Sequence, residues 1–278
     1  MAGITAAQTV MAVAAMPAVM TLQGRLHRSA GTWHGRQCAP AGRHGGRRRS
    51  TFRRDRARRL ADGSDWAKVI PLLQAKGVKV QAVQNGLNSL ADDVAATRRA
   101  VGNQPGKAVL VGHSWGGTVI TEAGADSKVA GLVYVAAFAP DAGQSTEEVG
   151  KDYAPAPGIG KLVADANGYL SLPAAALASD FAQDVPAAQA RVMAATQGPI
   201  KATAFGERTT VAAWQSKPSW FIVSAHDCMI QPDLERAMAR KIGAKVTTLP
   251  TSHVPQQSRP QDVAKVILDA VHAVEARN

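Results

Sequence analysis

Residues Gly112-His113-Ser114-Trp115-Gly116 follow the apolar run Ala108-Val109-Leu110-Val111 and lead into Gly117-Thr118-Val119-Ile120. A serine therefore stands where a buried strand turns abruptly into a helix, the setting of a nucleophile elbow. The turn strains the serine backbone, and side chains two positions to either side would collide with the neighbouring strand and helix, so glycines are required there. A bare GxSxG is a weak signal, but here strand, turn and helix come in the required order.

The rest of the chain from Ala61 onward alternates between the two periods. Asp65–Lys76 reads as a helix ended by Gly77, Val78–Val83 as a strand, and Asn88–Val101 as a capped helix with Asp92 and Asp93 early and Arg98 and Arg99 late. Strands follow at 108–111, 130–136, 219–224 and 245–249, and a last helix at 260–275. Continuous apolar runs such as Val129–Ala137 indicate parallel strands buried on both faces. The pattern predicts an α/β fold with a doubly wound, mostly parallel sheet. The interval from about 140 to 218 has no strong strand but has helical stretches near 173–182 and 186–196, which reads as a helical lid over the carboxyl ends of the sheet. Phe181, Val192, Met193, Phe205 and Trp214 either line an apolar cavity beneath it or pack it onto the body.

Charge divides the chain at about residue 60. Residues 1–60 hold 12 Arg, no Lys and one acid, Asp55, for a net charge of +11, whereas residues 61–278 hold 20 basic groups and 20 acids. The basicity thus belongs to an arm, and the body gives no nucleic-acid footprint. Within the arm, Ile4–Leu22 is apolar like the core of a secretory signal, but no Lys or Arg precedes it and no small-x-small site ends it. A cytoplasmic protein without stable membrane insertion is the expectation. From Gly24 to Leu60 the residues are mostly Arg, Gly, His and Ser without a period, so this stretch is expected to be disordered. Three readings of it stand open: a tether for nucleic acid or anionic membrane, a solvated tail, or DNA read outside the frame of the body. The domain organisation expected is an arm, 1–60, followed by one α/β domain, 61–278.

A serine nucleophile needs a base and an orienting acid. Of seven histidines, three lie in the arm, His113 adjoins the serine and His272 belongs to the last helix. His253, in the loop Thr251-Ser-His-Val-Pro255 after the strand 245–249, is favoured over His226 as the base. Asp227, just after the strand 219–224, is the expected acid, with Asp141 as the fallback and Asp233 assigned to capping the helix 233–241. No HExxH and no paired Cys/His spacing occurs, so neither a metal nor a cofactor is expected.

Residues 61–278 resemble the α/β-hydrolase superfamily, and within it the small esterase branch related to plant hydroxynitrile lyases. The resemblance is carried by Ala61-Asp-Gly-Ser-Asp-Trp66, Ser89-Leu-Ala-Asp-Asp-Val94, Gly112-His-Ser-Trp-Gly-Gly117, Val135-Ala-Ala-Phe-Ala-Pro140 and Ser252-His-Val-Pro255. It implies Ser114, Asp227 and His253 as nucleophile, acid and base, in agreement with their spacing. It also implies an oxyanion hole built from the backbone N–H of Trp115 and one from a loop after a central apolar strand ending in His-Gly. The positions just ahead of Ala61 instead read Arg53-Arg-Asp-Arg-Ala-Arg-Arg-Leu60. Only a loop near Leu60 remains to supply the second donor, and arginines in a central strand would bury unpaired charge and weaken the fold.

The function these residues predict is hydrolysis of carboxylic esters of small to medium apolar substrates through an acyl-enzyme. The small-molecule ester is the one partner expected. A hydroxynitrile-lyase-like reaction on the same triad, or a catalytically impaired ligand-binding protein, are the alternatives.

Overall fold

The computed structural model describes residues 8–13 and 63–277. Six strands form one wholly parallel sheet: β1 (Gln8–Val13), β2 (Lys79–Gln84), β3 (Ala108–Ser114), β4 (Val129–Ala137), β8 (Ser219–Ser224) and β9 (Lys245–Leu249). Their spatial order is β2-β1-β3-β4-β8-β9. Three short strands, β5 (Val163–Ala164), β6 (Tyr169–Ser171) and β7 (Ile200–Lys201), make a separate antiparallel sheet within the interval between β4 and β8.

The apolar runs explain the layering. All seven residues of β3 and all six of β8 are buried, as a parallel strand covered on both faces must be. The helix Gly116–Ala123 is buried along its whole length and packs against the helix Leu90–Gly102. The helix Pro260–Glu275 packs with the helix Ile70–Gln74 and lies on β4 and β8. Two helix pairs thus sandwich the sheet, as the doubly wound pattern predicts.

The central strand is where the sequence-based expectation needs correction. Gln8–Val13 pairs in parallel with Lys79–Gln84 on one side and Ala108–His113 on the other. Part of the apolar run that resembles a secretory signal is therefore a strand in the middle of the sheet. It fills the place that the resemblance assigned to residues just ahead of Ala61, so no arginine of 53–59 has to be buried there. The Arg-rich stretch, and with it Leu60, lies outside the described residues.

Two helices also begin differently from the sequence-based reading. The single helix expected over 65–76 is a 3-10 turn, Gly63–Trp66, followed by a short α-helix, Ile70–Gln74. Pro71 is the reason: it lacks an N–H and fits only a first turn, so an α-helix starts beside it. The helix Pro232–Lys241 starts at N-cap Gln231 rather than at Asp233, because Pro232 takes the first helical position. Asp233 pairs with Arg236 at 2.8 Å and caps nothing.

Candidate active site

Ser114 ends β3 with φ +54°, in the left-handed region that an L side chain enters only at a cost. The neighbouring glycines make the turn possible. A Cβ on Gly112 would lie 2.4 Å from the Gly116 carbonyl oxygen, and one on Gly117 2.1 Å from that of Phe138. The elbow therefore holds Ser114 between the end of β3 and the start of the helix Gly116–Ala123, where unpaired N–H groups and the helix dipole favour negative charge.

The candidate acid and base stand in the loops that follow β8 and β9. His253 Nδ1 lies 2.5 Å from Asp227 Oδ2, and both side chains are fully buried. Asp227 is fixed by its own turn, since its Oδ1 accepts from the N–H groups of Met229 (2.6 Å) and Ile230 (2.9 Å). With Nδ1–H donated to the carboxylate, His253 presents its Nε2 lone pair. Ser114 Oγ and His253 Nε2 are both buried and make no hydrogen bond. Contacts of this kind commonly tighten only when substrate is bound.

The competing candidates stand elsewhere. His226 is exposed, and its carbonyl oxygen accepts from Gln183 Nε2 at 2.7 Å. Asp141 pairs with Lys241 at 2.9 Å. His272 is exposed on the last helix.

Three polar residues near this centre escaped the sequence reading. His113 Nε2–H donates to the backbone carbonyl of His253 at 2.7 Å, and the two rings lie 4.7 Å apart. The residue before Ser114 thus ties the His253 loop to the elbow. Burial, and then the proximity of His253, hold His113 well below the ordinary histidine pKa, so it is neutral. Asp93 accepts from the Trp115 indole N–H at 2.9 Å and from the Leu87 N–H at 3.0 Å, bracing the side chain next to Ser114. Burial pushes its carboxyl up, against the pull of these donors. Glu235 is wholly buried and accepts from the Ser224 N–H at 3.0 Å. A signal for both acids was present: Leu90, Asp93, Val94, Thr97 and Val101, like Leu234, Glu235, Met238 and Ala239, share the buried stripe of their helix.

Residues 140–218 touch both loops. Phe181 sets its ring 4.9 Å from that of His253. Gly158 N–H donates to the Cys228 carbonyl at 2.8 Å, and Ser252 N–H to Asp184 at 2.9 Å. Phe205 packs edge-on to Trp115 at 5.3 Å, and Met193 is buried. Val192 is 61% exposed and lines no cavity, because it lies on the outer face of its helix. Trp214 donates its indole N–H to the Pro140 carbonyl at 2.9 Å, with Lys241 above the ring.

A family model described as Alpha/beta hydrolase family matches residues 44–266, more than half of the chain. The chain belongs to the alpha/beta hydrolase family. Solved structures share the alpha/beta hydrolase fold at low identity. A pyrethroid hydrolase from Sphingobium faniae JZ-2 is 22% identical with a TM-score of 0.67, over 77% of this chain and 94% of its own. Polyneuridine aldehyde esterase is 20% identical with a TM-score of 0.64, over 75% of this chain and 94% of its own. A methylesterase from Arabidopsis is 19% identical with a TM-score of 0.62, over 76% and 94%. These neighbours fit the small esterase-like branch of the alpha/beta hydrolases that the sequence motifs resemble. A search of curated proteins found no match. Among the described residues no helix is long and apolar enough to cross a membrane.

Proposed function

We propose that the chain is a serine hydrolase that cleaves carboxylic esters of small to medium apolar substrates through an acyl-enzyme. The observation that carries this reading is the buried His253–Asp227 pair, tied through His113 to the strained elbow that bears Ser114. His253 Nε2 takes the proton of Ser114 Oγ as the oxygen attacks the ester carbonyl. Asp227 stays ionised and stabilises the imidazolium. The developing oxyanion is received by the Trp115 N–H at the start of the helix. His253 then protonates the departing alcohol, and water activated by the same nitrogen releases the acid. The segment 140–218 acts as the lid, with Phe181, Met193 and Phe205 giving it an apolar underside. The naming of the neighbours as a pyrethroid hydrolase and esterases accords with an ester substrate.

The test is hydrolysis of short p-nitrophenyl esters by the chain beside its Ser114→Ala variant. The expected result is turnover that falls roughly four to six orders of magnitude in the variant, as for removal of a nucleophile in other serine enzymes. Equal rates in both would overturn the reading.

A further inference from the structure

The carboxylate of Asp227 has about four lone-pair positions. Three are taken by the N–H groups of Met229 and Ile230 and by Nδ1–H of His253. Glu235, on the helix that follows the Asp227 turn, has its side chain within hydrogen-bonding reach of Asp227. Ser224 links the two residues: its N–H donates to Glu235 Oε2 at 3.0 Å, and its carbonyl accepts from the Asp227 N–H at 3.3 Å. The other oxygen, Glu235 Oε1, is buried and receives no N–H or hydroxyl donor. An ionised carboxylate would leave that oxygen unsatisfied next to a second buried negative charge, whereas a protonated one can donate to it.

We propose that Glu235 is held as the neutral acid and donates its proton in a hydrogen bond to the Asp227 carboxylate, which makes it a positioning residue for the acid–base pair. The proposal rests on the role given above to Asp227 and His253. Two further observations agree. Burial, and after it the charge and hydrogen bonding of Asp227, push the Glu235 carboxyl well above the ordinary range. Arg236, the cation that pulls the other way, is paired with Asp233. The donated proton stays on Glu235 throughout. It stabilises the Asp227 anion, so that the Nδ1 proton remains on His253, and it fixes the carboxylate plane toward the ring.

Glu235→Gln keeps both hydrogen bonds, because its amide can donate to Asp227 and accept from Ser224. Glu235→Leu removes both. Infrared difference spectra of the wild-type chain against Glu235→Gln near neutral pH, about 7, should show the carbonyl stretch of one protonated carboxylic acid, lost in the variant. Absence of that band would mean an ionised Glu235 and would overturn the proposal. This measurement needs no turnover, so a chain without esterase activity that still shows the band would refute the hydrolase reading and leave Glu235 as proposed. In kinetics, Glu235→Leu should lose kcat on the order of tenfold or more, the scale seen when outer partners of metal ligands are removed, with KM unchanged. Glu235→Gln should restore the rate and leave the acid limb of the kcat/KM profile in place. A limb displaced by about a pH unit in Glu235→Gln, or wild-type kcat in Glu235→Leu, would overturn the positioning role. Should Glu235→Leu fail to fold, the Gln variant and its spectrum still decide.

Discussion

His113 shows how much a single side chain beside Ser114 can govern. Its hydrogen bond to the His253 carbonyl is buried, and His113→Phe would leave that oxygen without its donor. The expected loss is about 1–3 kcal/mol in urea unfolding, with slower ester turnover because the His253 loop is no longer tied to the elbow. The pH dependence has a definite sign. The folded state binds no proton at His113 where the unfolded chain does, so its neutral form contributes stability above the ordinary value of 6.5, and that contribution is lost as pH falls below it. Stability of the wild-type chain should therefore decline from about 6.5 downward, and His113→Phe should flatten that slope. Ser114, Asp227 and His253 were legible in the sequence because strand ends and turns punctuate them. His113, Asp93 and Glu235 were not, because their partners are distant in the chain or shared through backbone atoms. A carboxylate in the first turn of a helix reads as a complement to the dipole until the partner across the interface is known.

At the level of elements, the elbow works because two backbones approach more closely than any side chain permits. Gly117 faces the main chain of Phe138 in the segment after β4, and neither strand nor helix can retreat without disturbing the buried sheet. Gly117→Ala is expected to destabilise the protein by at least the 1–3 kcal/mol typical of overpacking, read as a lower urea midpoint. The strands β2, β3, β4, β8 and β9 were recognisable in the sequence, β3, β4 and β8 by their apolar runs. β1 was not, because a short run of Val, Met and Ala suits a buried strand and the core of a signal equally well, and periodicity cannot separate them. The short antiparallel sheet within 140–218 went unseen as well, since strands of two or three residues carry no pattern at all.

Across the whole molecule, β1 decides whether the sheet is continuous. Its backbone bridges β2 and β3, so residues Ala108–His113 of the elbow strand have a paired neighbour on each side only when Gln8–Val13 is present. A chain lacking residues 1–13 should lose its cooperative unfolding transition by circular dichroism or appear in the insoluble fraction, despite retaining Ser114, Asp227 and His253. A soluble, cooperatively melting product would show that β2 and β3 can close without it.

That long-range pairing also bears on how the fold is reached. During synthesis β1 emerges first, yet its two partners, at 79–84 and 108–113, follow only after many further residues. The equilibrium penalty for closing so long a loop is modest, growing by only about 0.6 kcal/mol for each doubling of length. The kinetic penalty is larger, because non-local parallel pairing is slow and leaves an apolar strand with both edges open in the meantime. The nascent chain is thus most prone to aggregate before β3 appears and β1 can insert between its two partners.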